Sequence, residues 1–106
     1  MKNLLRASIM LLALALVFSV YSLADAGADT FKAKCAACHG ATGAGDTTMG
    51  KNLKLRDLGS ADVQKQSDDE LTTVITKGKG KMPAYDGKLT KEQVSDLVKF
   101  IRSLKK

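Results

Sequence analysis

The chain's only two cysteines and its only histidine fall within five residues, Cys35-Ala36-Ala37-Cys38-His39. On a helix, positions three and four residues apart share a face, so both thiols and the imidazole would point the same way. That spacing reads as covalent attachment of haem: two thioether bonds from Cys35 and Cys38, with His39 as a ligand to the iron. A thioredoxin-like redox pair would sit near a βαβ pattern, which the sequence lacks. A zinc knuckle needs four ligands, and no third cysteine or second histidine exists to complete it.

A six-coordinate iron needs a second ligand on the opposite face of the macrocycle. Downstream of the attachment motif there are two methionines, Met49 and Met82. Met82 is the better placed. Pro83 keeps it out of a helix, and Gly78 and Gly80 let backbone approach a flat group closely. It also lies in a polar loop rather than on an apolar stripe, where a methionine would only fill a gap. Met49 stays open on reach alone.

The elements that position these residues read as helices and long loops. A first helix, with Asp29 as its N-cap, carries Phe31 one turn before Cys35 and stops at His39-Gly40. Residues 40 to 59 show neither helical nor strand periodicity. A loop that long in a small domain implies something apolar for it to wrap, with Leu53, Leu55 and Leu58 facing the bound group. A short helix follows from Ser60 through Lys65. Ser67-Asp68-Asp69-Glu70 is a capping box ahead of Leu71, Val74 and Ile75, and Gly78 is a helix stop. A second loop, Gly78 to Leu89, holds Met82. Thr90-Lys91-Glu92-Gln93 is another capping box, and behind it Val94, Leu97, Val98, Ile101 and Leu104 make one apolar stripe with Phe100 beside it. No strand alternation, internal repeat or domain linker appears. The expected fold is all-α, three to four short helices and long loops wrapped around one haem.

Chain length, 106 residues, limits the protein to one domain. Lys2 and Arg6 precede an apolar run from Ala7 to Val20, followed by the small-residue sites Ser22-Leu23-Ala24 and Ala24-Asp25-Ala26. This is the layout of a secretory signal peptide over residues 1–26, leaving a domain of residues 27–106. An uncleaved anchor is the alternative, since Leu4 to Leu23 is just long enough to span a bilayer. Either way the domain is exported, to the periplasm or an equivalent compartment. So small a domain needs a staple. Burying roughly 400 Å² of apolar macrocycle would supply on the order of 10 kcal/mol, comparable to the whole net stability of a domain.

The formal net charge is +6. Without Lys2, Arg6 and Asp25 it is +5, and thirteen of the fifteen remaining basic residues are lysines. Nucleic acid is a poor fit, because only Phe31, Tyr85 and Phe100 remain as aromatics and no arginine cluster accompanies them. A lysine-rich face that steers an acidic protein partner fits better, with Lys79 and Lys81 flanking Met82 and Lys32 and Lys34 preceding the attachment site.

With Cys35-Ala36-Ala37-Cys38-His39-Gly40, Gly80-Lys81-Met82-Pro83-Ala84-Tyr85 and Leu97-Val98-Lys99-Phe100-Ile101, the chain resembles the class I c-type cytochromes, most closely their short bacterial and photosynthetic members. The resemblance covers nearly all of residues 27–106. It implies that the first and last helices cross through Gly27, Phe31, Leu97 and Phe100, and that Met82 is the distal ligand. It also implies a loop carbonyl accepting from His39. Here Lys51 stands in Gly50-Lys51-Asn52-Leu53 where the family usually has proline, which bears on how that carbonyl is held.

The expected function is one-electron transfer, not enzymatic turnover, by a monomer with haem c, iron cycling between Fe2+ and Fe3+, and transient acidic redox partners. Two other readings use the same residues: a haem-based sensor or small enzyme in which Met82 is displaced, and the electron-entry subunit of a larger oxidoreductase. Membrane association would follow only if residues 1–26 were retained.

Overall fold

The computed structural model describes residues 26–106; residues 1–25, and with them all but the last residue of the expected signal segment, lie outside the described residues. The described chain has six helical segments. They are α1 (26–34), α2 (Ala36–His39), α3 (Thr48–Asn52), α4 (Ala61–Gln64), α5 (Asp68–Lys77) and α6 (Lys91–Ser103). Among the described residues the only β pairing is two isolated bridges, Lys79 with Met82 and Asp86 with Leu89. The all-α expectation holds, with more and shorter pieces than the three to four helices expected.

The two longest helices form where the sequence signals are strongest. Thr90 caps α6 with a complete capping box: its hydroxyl accepts from the Gln93 amide at 3.1 Å and the Gln93 side chain accepts from the Thr90 amide at 2.9 Å. Such a cap satisfies amides that have no partner within the helix. Ser67 caps α5 by accepting from the Glu70 amide, the one half of the expected box that is made. Gly78 ends α5 at φ 75°, a left-handed conformation that favours glycine.

Asp29 is not an N-cap. Helix α1 is already formed at residue 26, and the Thr30 hydroxyl donates to the Ala26 carbonyl four residues back, so Asp29 lies within a turn. The first helix also breaks at Cys35, because the amides of Cys38 and His39 both donate to the Cys35 carbonyl and open a new turn there.

Helices α1 and α6 cross at the expected residues. A side chain on Gly27 would place its Cβ 2.3 Å from the Asp96 carbonyl oxygen, so the crossing requires glycine. The Phe31 and Phe100 rings lie 4.8 Å apart at 45°, a favourable tilted pair. Leu97 is 1% exposed beneath them. The C-terminus closes over the long loop: the Lys106 amide donates to the Gly59 carbonyl and its ammonium pairs with Asp57. Gln64 donates to the carbonyls of Leu58 and Ile101, tying α4 to α6.

Candidate functional site

Of the eight buried apolar side chains among the described residues, all but Val94 and Val98 line a single cavity of about 550 Å³. Protein interiors pack at the density of organic crystals, so a hole this size is the outline of something the chain is built around. Six separate stretches wall it, two of them α4 with Val63 and α6 with Leu97 and Ile101. The α1–α2 junction supplies Cys35, Cys38 and His39, and the long loop supplies Leu53, Leu55 and Leu58. Leu71 and Ile75 come from α5, and the second loop supplies Met82 and Tyr85. The cavity brings all four expected site residues together. Met49 is not among them; it is 50% exposed on α3, away from the wall.

The chemistry of the donor set suits a haem. Both cysteines are free, so both thiols are available for thioether bonds. Burial, and then the neighbouring Cys38, push the Cys35 thiol up to about 11, so it carries its proton at neutral pH. Burial lowers the His39 imidazole below its ordinary value, which keeps it neutral and able to donate a lone pair to a metal. Its Nδ1 is buried with no hydrogen-bond partner, 6.3 Å separating the ring centroids of His39 and Phe31. An unpaired buried polar atom costs about 1–3 kcal/mol, so this ring is incomplete as a mere core residue.

The loop carbonyl expected to accept from His39 does not do so. The stretch expected to be irregular holds a turn of helix, α3, and its carbonyls accept from backbone amides: Gly50 O from the Leu55 amide at 2.9 Å and Lys51 O from the Lys54 amide at 3.2 Å. Lys54 then leaves the turn at φ 54°, a conformation uncommon for a residue with a side chain.

Thr47 holds α3 against the attachment motif, a role the sequence reading missed. Its hydroxyl donates to the Cys38 carbonyl at 2.6 Å and accepts from the Gly50 amide at 2.8 Å. Gly50 permits that approach, since a Cβ there would lie 2.7 Å from the Cys38 carbonyl oxygen. Threonine is a good N-cap, which is the one signal that could have found it.

Met82 is half-buried, and its position is fixed by backbone. Lys79 and Met82 exchange amide-to-carbonyl bonds of 3.0 and 3.2 Å, and Gly78 lets the Met82 carbonyl come within 2.6 Å of where a Cβ would be. Tyr85, three residues on, donates its hydroxyl to the Lys34 carbonyl at 3.1 Å. Burial raises its proton affinity, so the phenol stays a donor.

Charge around the cavity is one-sided. Lys34, Lys54, Arg56, Lys79 and Lys81 border it, and no carboxylate does. Lys32 is exposed on α1 without bordering it, whereas Lys54 and Arg56 were not anticipated. Three carboxylates are engaged with cations elsewhere, as Asp57–Lys106, Asp62–Lys65 and Asp68–Arg102.

Comparison with known proteins agrees with this geometry. Residues 22–101 match the family model described as cytochrome c oxidase, cbb3-type, subunit III. The chain is 36% identical over 78 residues to cytochrome c6 of Leptolyngbya boryana, covering 74% of this chain and 88% of that one. The chain belongs to the class I c-type cytochromes. With cytochrome c6 of a Picosynechococcus species this cytochrome shares 33% identity across 95% of its own length and 92% of the relative's. Among solved structures it is similar to the KustC0563 c-type cytochrome, with a TM-score of 0.70 and 34% identity, covering 76% of this chain and 98% of that one. As a class I c-type cytochrome it carries one covalently bound haem c and is a monohaem electron-transfer protein. No helix among its described residues is long and apolar enough to cross a membrane.

Proposed function

We propose that the protein is an exported one-electron carrier whose haem is held by thioether bonds from Cys35 and Cys38 and ligated by His39 and Met82. The observation that supports this most is the meeting of these four residues around one apolar cavity, with Met49 exposed off it. Bound there, the haem supplies an iron that gains and loses a single electron. His39 contributes a neutral nitrogen, kept free of a proton by burial. Met82 contributes a thioether sulfur, a ligand that favours the reduced iron and raises the potential. With Met82 in place no open position is left for a substrate, which argues for a carrier over a sensor or enzyme. Leu53, Leu55 and Leu58 keep water from the site, and low solvent access also raises a potential.

The five cations at the rim favour an acidic protein partner held weakly and released quickly, with its approach steered by charge. Export would follow from a signal peptide over residues 1–26, leaving residues 27–106 as a monomeric mature domain in the periplasm or its equivalent. Intact mass of the exported protein tests attachment and processing together: the expected value is that of residues 27–106 plus one haem. A mature mass without haem contradicts the reading, and a haem-bearing mass of the full chain contradicts cleavage alone. Carbon monoxide distinguishes carrier from sensor, since the reduced protein should not take it up at neutral pH.

The family model's description as an oxidase subunit favours a second reading, in which this domain delivers electrons as part of a larger oxidoreductase. Native-extract size exclusion separates the two. A free carrier elutes at the size of one small domain, and a subunit co-elutes with an oxidase.

A further inference from the structure

The iron's two expected ligands belong to different pieces of chain. His39 sits on the attachment segment, while Met82 sits on the loop of residues 78–89. That loop hangs from α5 by two backbone bonds, from the Tyr85 amide to the Ile75 carbonyl and from the Asp86 amide to the Thr76 carbonyl. Among the hydrogen bonds of the described residues, one alone joins the loop to the stretch bearing Cys35, Cys38 and His39. It is the bond from Tyr85 Oη to Lys34 O.

The acceptor is available for a local reason. Because α1 breaks at Cys35, the Cys38 and His39 amides go to the Cys35 carbonyl, and no backbone amide among the described residues beyond α1 donates to Lys34. A helix end leaves such carbonyls without partners. Tyr85 supplies the donor. Its ring is held in turn by Lys88, whose ammonium lies 5.9 Å from the ring centroid, within cation–π range. Lys34 and Tyr85 both border the cavity, Lys34 immediately before the first cysteine and Tyr85 three residues after Met82.

We propose that Tyr85 is a positioning residue whose hydroxyl latches the Met82 loop to the attachment helix and so limits access of foreign ligands to the iron. The proposal rests on Met82 being the distal ligand. With the latch made, displacing Met82 requires the loop to leave the attachment segment as well as the iron. Without it, only the backbone bonds to α5 hold the loop, and the population able to accept an outside ligand rises. The apparent affinity for such a ligand scales with that population.

The test uses the haem-loaded protein and imidazole as the probe. Tyr85→Phe keeps the ring and removes the hydroxyl. A single neutral hydrogen bond corresponds to roughly a two- to tenfold change in an equilibrium constant, so imidazole should bind the ferric variant about that much more tightly. The resting spectrum, including the weak sulfur-to-iron band, should be unchanged. Thr90→Ala, which removes the cap of α6 just past the end of the loop and leaves the Tyr85 hydroxyl in place, serves as the control for a general loss of stability. It should lower the melting temperature without altering imidazole affinity. Equal imidazole affinity in Tyr85→Phe and the unmodified protein would overturn the latch, as would an equal rise in Thr90→Ala. If the unmodified protein lacks the sulfur-to-iron band, the Met82 assignment fails and the latch fails with it. If the band is present and the affinities are equal, the latch alone fails.

Discussion

The crossing of α1 with α6 and the pair of loops that wall the cavity are held together by different means. At the crossing, contact is direct: Gly27 against the Asp96 carbonyl, Phe31 against Phe100, Leu97 beneath. The loops have few such contacts with each other. Leu53, Leu55 and Leu58 face Met82 and Tyr85 across a space, and the one hydroxyl bond at the rim runs from Tyr85 to Lys34 on α1 instead of to the long loop. The crossing therefore has direct packing of its own, although Phe31 and Leu97 also line the cavity. The loops are where the protein depends on the haem and where the haem's properties are set.

That contrast can be broken most severely at Gly27. Gly27→Val would drive a side chain into backbone carbonyl at 2.3 Å, which no rotamer relieves. The expected outcome is failure to accumulate haem-loaded protein, read by haem staining of the exported fraction. Leu97→Ala should be milder, costing about 2–5 kcal/mol as a buried large-to-small change, measured by denaturant unfolding. Gly27→Val should not move the potential of whatever folded protein remains beyond a small shift.

Loop substitutions should do the reverse. Replacing Lys79 and Lys81 together by glutamine should leave the melting temperature nearly unchanged while slowing reaction with an acidic partner at low salt. The difference should shrink as ionic strength rises, as measured by stopped-flow second-order rates. Salt-independent rates in the unmodified protein would remove the steering argument. The smallest effect belongs to Asp57, partly exposed at the seam where the C-terminus meets the long loop. The Lys106 ammonium, and next the Gly59 amide, hold its carboxyl below the ordinary carboxylate value. A lowered folded value means the contribution is complete above that ordinary value and is lost as pH falls through the folded one. Asp57→Asn should therefore lower the melting temperature slightly at neutral pH and flatten the acid side of its pH profile, the two proteins converging at low pH.

Much of this division was visible in the sequence, for physical reasons. Helix α6 declared itself through a cap and an unbroken apolar stripe, and Cys35, Cys38 and His39 through a spacing that few other chemistries use. Met82 stood out because a methionine beside proline in a glycine-rich loop has no core to fill. What escaped was short-range and non-periodic. Helix α3 is a single turn with no apolar face, so no periodicity marks it, and Thr47 went unread as its cap. The unpaired Nδ1 of His39 was equally hidden. Asp29 was misread because a good capping residue is also tolerated inside a first turn. Lys54 and Arg56 reach the rim only because the long loop folds back on itself, which composition does not encode.

The central claim is that Met82, and not Met49, completes the iron site. It is tested most directly by the weak sulfur-to-iron absorption band of the ferric protein, compared among the unmodified chain, Met82→Ala and Met49→Ala. The account predicts that the band is present in the first, absent in Met82→Ala and retained in Met49→Ala, with haem still covalently attached in all three. Survival of the band in Met82→Ala and its loss in Met49→Ala would contradict it.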